Sequence, residues 1–532
     1  MRRDACNLAN SHTEYGYAAM DTLPDLARAD HAFHALSCAP VFRRRTRTVG
    51  SLVGLGLLLG GCASFSEDGG LSVARNYAAL ELKKDIVKVN DQGIALTAEA
   101  EVEKLLRRPL TADSAVQIAL LKNRGLQAAF NDLGVSEAQF VQATLPPVPR
   151  LTITQYGTGF NTDIERSVVA SLLELVTLPL RAEIARQRFQ SDQYRAAEQL
   201  LRLAGEARRQ FYRTVAANQA TAYLEQALAS SESASILAKQ LGETGALNKL
   251  EQAREQAFYS ELGAQLGKAR VQQRAERERF IRLLGLWGRE IEFKLPNGLP
   301  ALPGRLVTGP QIEAEALKKR ADVQAARFEL QSLVGQYGLN QASGFISVFD
   351  VGFSNQYTRS SSSESGGQGS IAPKPTSSSL NGYSLDVVIP IYDFGTIAVR
   401  GAKEAYFGAA NRLAERAVNA RSEVREAYQR YRGQYDITRH YQGSVLPLRK
   451  TILDQSLLQY SGMLIDVTTL IIDARARILS NIQAIEAKRD FWIAATDLKA
   501  AIVGGGFSAD NFGGEAAGGT PGTSLAVATP GG

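Results

Sequence analysis

The sequence predicts a mainly α-helical chain with a small β part, built from one helix-strand-strand-helix-helix unit written twice. Three observations predict it. No proline occurs between Pro179 and Pro296, and apolar residues recur at helical spacing (Leu200, Ala204, Ala207, Phe211, Val215) among Arg, Glu and Gln. Residues also repeat: Leu126-Gln127-Ala128-Ala129 and Leu133 match Val323-Gln324-Ala325-Ala326 and Leu330 at a shift of 197. Farther on, Glu206, Arg208, Phe211 and Arg213 correspond to Glu423, Arg425, Tyr428 and Arg430 at a shift of 217, and Leu178-Pro179-Leu180 resembles Ile389-Pro390-Ile391. Finally, Phe345, Phe349, Val351, Phe353 and Tyr357 take one face of an extended segment while Asp350, Gly352, Ser354 and Gln356 take the other, the period-two signature of a strand.

Taken from the start, residues 1–61 read as a leader. Arg43 to Arg47 forms a basic n-region, Val49 to Leu59 an apolar h-region, and Leu59-Gly60-Gly61-Cys62 resembles a lipobox whose cysteine is acylated and becomes the mature N-terminus. The alternative, a short membrane helix, is disfavoured because the apolar run falls short of the ~20 residues a span needs. Residues 1–42 precede any plausible n-region, so the start of translation lies open within residues 1–49. Ala63, rather than an inner-membrane retention aspartate, follows Cys62 and favours passage to the outer membrane. The leader holds seven of the arginines and five of the acids, so the chain's net +6 becomes about +4 without it. No concentrated basic stripe remains, which sets nucleic-acid binding aside.

The leader also removes Cys6, Cys38, His12, His31 and His34, leaving Cys62 and His440. Disulfides, thiolate catalysis and Cys/His zinc sites are then unavailable. No phosphate loop, GxSxG elbow or HExxH occurs, so an enzyme is not expected. The sole covalent group expected is lipid on Cys62. Met463 alone makes no soft-metal relay.

Residues 62–109 form an N-terminal periplasmic segment, and 110–294 the first repeat. Its opening helix runs about Thr111 to Ala143 and is stopped by Leu145-Pro146-Pro147; strands follow at about 150–157 and 166–176. Then comes a helical hairpin at 180–286, its first arm roughly 90 Å long at 1.5 Å per residue. Gly242 and Gly245 break it at the tip, and Ala246 or Asn248 starts the return arm. Residues 295–309 are a linker. The second repeat, 310–503, has an opening helix at about Pro310 to Gln341, strands at about 345–357 and 383–391, and a hairpin at about 396–500 with its tip near Gly462. A Ser/Gly/Pro run at 359–381 reads as a long surface loop and 504–532 as a disordered tail. Trp287 and Phe491-Trp492 are expected to pack where helices meet, Pro447 to kink the second hairpin, and His440 to lie at a surface.

Four strands of about 8–13 residues suit a membrane barrel, whose strands need roughly 9–11. An open four-stranded sheet in lipid would leave edge amides unpaired, so the wall must close with strands from other copies. Two copies give eight strands, about enough for side chains to fill the bore; three give twelve and leave a conduit. A soluble helical protein with one sheet is the alternative, against which stand the matching strand positions in both units and the terminal aromatics Tyr156, Tyr357 and Tyr383.

On Leu110 to Val116, Asn123-Arg124, Leu145-Pro146-Pro147, Tyr460-Ser461-Gly462 and Leu470 to Arg475, with the duplicated unit and the lipobox, the chain resembles the TolC-type outer-membrane efflux factors, lipoprotein branch. The resemblance implies a homotrimer with a 12-stranded β-barrel, four strands per chain, continued into a long periplasmic α-helical barrel. It implies a passive exit duct for small molecules or ions, lipid-anchored in the bacterial outer membrane and engaged by a periplasmic adaptor and an inner-membrane pump. It also places Asp473 at an acidic ring closing the periplasmic gate, with Tyr460 beside it. Asp466 stands in for a second acid, since Leu470 occupies that place, and the tips at Gly242, Gly245 and Gly462 meet the adaptor. A solvated helix charge is the plainer reading of Asp473. The other functional class is a periplasmic adaptor lipoprotein, which would carry one hairpin between small β domains rather than two hairpins alternating with strand pairs.

Overall fold

A computed structural model describes residues 64–158, 161–245, 247–306, 311–361 and 375–506. Cys62, the leader, residues 362–374 and those beyond 506 lie outside the described residues. What is described is mostly helix with one antiparallel sheet of four strands in the order β1-β2-β3-β4. Helices α1 (Ser72–Tyr77, continued by a π turn) and α2 (Gln92–Leu106) precede the first repeat: α3 (Ala112–Lys122), α4 (Arg124–Thr144), β1 (Arg150–Thr158), β2 (Asn161–Ser171), α5 (Leu172–Glu243) and α6 (Lys249–Leu284). The second follows in the same order: α7 (Ile312–Lys319), α8 (Ala321–Ser343), β3 (Val348–Ser361), β4 (Pro375–Val388), α9 (Thr396–His440), α10 (Leu446–Ser461) and α11 (Val467–Val503).

The opening helix is broken in both halves, where the sequence reading has it continuous. Asn123 (φ −67, ψ 113) separates α3 from α4, and Arg320 (φ −61, ψ 123) separates α7 from α8. These positions are 197 residues apart, the shift of the sequence repeat. Asn123 leaves the helix because its side chain does two jobs there: Oδ1 accepts from Leu126 N–H (3.0 Å), capping α4, and Nδ2–H donates to Leu283 O (2.9 Å). Thr111 and Ser114 cap α3 reciprocally, each side chain bonded to the other's backbone N–H (2.8 and 3.1 Å).

Other boundaries differ for identifiable reasons. The run Leu172-Leu173-Glu174-Leu175-Val176 is helix, not the end of β2, and α5 passes through Pro179 rather than starting after it. A short apolar run satisfies either period, so pattern alone does not decide it. Phe345 precedes β3, and Ile389 to Ile391 has left β4, because Pro390 has no N–H to give a ladder and its carbonyl instead accepts from Phe394 N–H (2.7 Å). At the other end β3 and β4 pair Tyr357 with Ser379 and Ser360 with Thr376, so the described flanks of the supposed loop are strand. A ladder needs backbone, not apolar side chains, which is why the Ser-rich flanks carry no period-two signal.

The main core lies between these ends, where Phe130, Phe211 and Phe280 are fully buried among α3, α4, α5 and α6. A second cluster around Phe491, Tyr431 and Val424 joins α9 to α11. Trp492 stacks on Tyr212 and donates its Nε1–H to Pro300 O (3.1 Å), so the aromatic pair packs between helices as expected. Trp287 does not: it is 68 % exposed, turned outward between Gly285 (φ 73) and Gly288 (φ 61). Gly285 is fixed twice, by its left-handed φ and because a Cβ there would stand 2.8 Å from Lys122 O. Gly504 (φ 91) caps α11, so the first residues of the predicted tail are ordered against α8. Among the described residues, no helix is long and apolar enough to cross a membrane.

Candidate functional site

Two regions bear on function, the sheet at one end of the long helices and the hairpin tips at the other. Cα partners in the register share a face. One face carries Leu151, Ile153, Val168, Phe353, Tyr383 and Leu385, all exposed. The other carries Thr152, Thr154, Ser167, Ser354 and Ser384, with the acids Asp163, Glu165, Asp350 and Asp386 and one cation, Arg150. Period-two alternation at full register is what an apolar-out, polar-in wall requires. The strand order leaves β1 and β4 as edges, neither with a second partner among the described residues.

At the first tip, Thr244 follows α5 and Gly245 takes φ 76, which lets Leu247 N–H reach back to Leu241 O (3.1 Å). Asn248 caps α6 through Glu251 N–H (2.8 Å), and Gly242 faces Gln252, whose Oε1 would stand 2.7 Å from a Cβ. At the second tip the left-handed residue is Met463 (φ 57), with Gly462 at φ −84.

The predicted gate residues all lie near the second tip, on the helices either side of its turn. Asp466 caps α11, accepting from Thr469 N–H (3.0 Å) and Oγ1–H (2.5 Å), and these bonds hold its carboxyl below the ordinary value. Asp473 accepts from Ser456 Oγ–H (2.5 Å), tying α11 to α10. Tyr460 lines a cleft of about 590 Å³ between the two hairpins, with Leu241, Phe258, Leu457 and Ile471.

Cross-hairpin contacts hold this end together, and they were not legible in the sequence. Arg475 pairs with Glu261 and lies over the Phe258 ring, 5.1 Å from its centroid; Arg254 donates to Thr468 Oγ1 (2.8 Å). Glu255, 5 % exposed, lines the same cleft; burial pushes its carboxyl up and Arg475 partly offsets this. On an arm where Glu and Arg alternate with apolar residues, no spacing marks Glu255 as the buried acid.

The sequence of residues 314–453, from α7 into α10, matches the family model described as outer membrane efflux protein. Solved structures share the fold. A membrane protein from Pseudomonas aeruginosa is 18 % identical at TM-score 0.61, covering 74 % of this chain and 93 % of that one. The outer-membrane channel OprN is 17 % identical at TM-score 0.61, covering 84 % and 99 %. The Campylobacter jejuni CmeC outer membrane channel is 14 % identical at TM-score 0.61, covering 74 % and 86 %. A search of curated proteins by sequence returned no significant match.

Between sheet and tips, the fold is locked by a buried ion pair, Arg209 on α5 with Asp497 on α11 (2.8 Å). Burial pushes the Asp497 carboxyl up and the guanidinium opposes it. A second cluster repeats the theme at the helix break: Arg320 donates to Asp322 (2.7 Å), Glu423 (2.6 Å) and the Ala501 carbonyl (3.2 Å). Bidentate guanidinium geometry makes such joints rigid.

Proposed function

We propose that this chain is the subunit of a homotrimeric exit duct in the bacterial outer membrane, passive itself and driven through a periplasmic adaptor by an inner-membrane pump. The observation that carries the reading is the sheet: four strands, two-faced, with both edges open, set on paired helices of which α5 alone runs 72 residues. Edge amides in lipid cost several kcal/mol each, so β1 of one copy must pair with β4 of the next, and three copies give the smallest ring with an open bore. The polar face then lines the bore. With four carboxylates against one guanidinium among the described strand residues, that wall favours cations.

The helices prolong the wall to the tips, where Asp473, held by Ser456, sits near a three-fold closure with Tyr460 and Asp466. Gly242, Gly245 and Gly462 lie in the turns that the adaptor meets. Acylation at Cys62 completes the attachment. Ser66, four residues on in sequence, is tied to Glu137 by its N–H (2.7 Å) and hydroxyl (2.5 Å), and Glu137 lies two turns before the end of α4.

Conductance across a planar bilayer tests the reading. The purified assembly should give discrete, cation-selective channels, and Asp473→Ala should raise the open fraction. Absence of any conductance from an inserted assembly would contradict the duct, and unchanged gating in the variant would remove Asp473 from the closure.

A further inference from the structure

The two faces of the sheet are segregated by charge as well as by polarity. All four of its described carboxylates lie on the inward face, and the apolar face carries Arg166 and Arg359 with no described carboxylate. Arg166 stands opposite Ile153 and Asn355, and Arg359 opposite Thr162 and Ser377. Both are exposed, and neither pairs with a described residue.

Their height along the sheet is informative. The row next to Arg166 on the helix side is Leu151, Val168, Phe353 and Tyr383, and apolar side chains continue from it through Leu385 and Val387 to the exposed Ile389 and Ile391. From Tyr383 to Ile391 is at most about 26 Å at ~3.3 Å per residue, close to the roughly 25 Å belt of outer-membrane barrels. The Arg166 row is where this belt turns mixed: Ile153 stays outward, while Asn355 and Asn381 beside it are joined by an amide hydrogen bond (2.7 Å). Arg359 lies four residues farther from the helices, about 14 Å from Arg166 between Cα positions across the β2–β3 pair. Both occupy inner strands, so closing the barrel through β1 and β4 leaves them uncovered.

Guanidinium groups at the outer rim of an apolar belt, with no acid beside them, fit phosphate at the level of lipid headgroups. We propose that Arg166 and Arg359 form a strip that binds phosphorylated lipid headgroups of the outer leaflet, one strip per subunit. The proposal rests on the barrel reading above.

The test titrates the full detergent-solubilised protein with a bisphosphorylated glycolipid, its dephosphorylated form and inorganic phosphate, and reads bound species by native mass spectrometry. The native protein should bind the phosphorylated lipid and not the dephosphorylated one, and Arg166→Gln/Arg359→Gln should bind it about 30-fold more weakly, as the pair of charges implies. Arg166→Lys/Arg359→Lys, which keeps the charge, should recover most of the binding. Equal binding by the native and Gln proteins would overturn the strip, as would inorganic phosphate binding as tightly as the lipid. Flotation with zwitterionic vesicles separates the two readings. A protein that floats while its lipid binding ignores the arginines defeats the strip alone, whereas one that floats with no vesicle defeats the barrel and the strip together.

Discussion

The two hairpins are the same unit built to different stiffness. In the first, α5 runs 72 residues without interruption and its tip turns on Gly245 at φ 76. In the second, the outgoing arm is 45 residues of α9, a π turn at Tyr441–Val445 and 16 residues of α10, and its tip turns on Met463 at φ 57. A π turn shifts the register of the helix, and Pro447 follows it at the start of α10, where its missing N–H is least costly. One rod is uninterrupted and turns on a glycine at its end; the other is jointed and strained there. In the proposed duct, this asymmetry would give one fixed wall and one that yields.

The largest expected effect comes from removing what holds the rods to each other. Asp497→Ala leaves Arg209 buried without its acid and should lower stability by about 3–5 kcal/mol, read as a shift in the chemical denaturation midpoint of the solubilised protein. Next come the tips, where the comparison predicts opposite signs. Gly245→Ala should destabilise its turn by about 1–2 kcal/mol while Met463→Gly relieves a similar strain. Hydrogen exchange at each tip reads both, and same-sign changes would break the comparison.

Glu255 supplies a smaller, pH-dependent effect. Its folded-state pKa is raised by burial, so the folded protein binds this proton more tightly than the unfolded chain. The stabilisation is present in full below the unfolded value and is lost as pH rises through the folded one. Contact between the hairpins at the cleft should therefore loosen as pH rises from acid, and Glu255→Gln should flatten that profile in tip hydrogen exchange. The smallest change is Pro447→Ala, under about 1 kcal/mol because the first helical turn needs no N–H there; a large loss would mean that the proline, rather than the π turn, makes the joint.

Much of the fold was legible because the long arms carry many turns of one period and the repeat appears at two linked shifts. What escaped was local. Leu172 to Val176 fits helix and strand alike, the Ser-rich flanks of β3 and β4 pair through backbone alone, and Asn123 and Arg320 break helices through hydrogen bonds that no periodicity announces. The site divides the same way. Gly245 was legible because left-handed backbone favours glycine, and Met463 was not, because a strained residue leaves no mark in composition. Asp466 reads in sequence as a stand-in gate acid; the structure gives it capping bonds. Glu255 and the Arg475–Glu261 pair meet their partners only through packing between hairpins distant in sequence, and Ser456 meets Asp473 across the second hairpin.

The central claim is that β1 and β4 must be completed by neighbouring copies, and the mass of the purified, detergent-solubilised assembly with its migration before and after heating tests it most directly. Three protomers that run as one species until heated are the predicted result. A monomer, or an assembly of two, would contradict it.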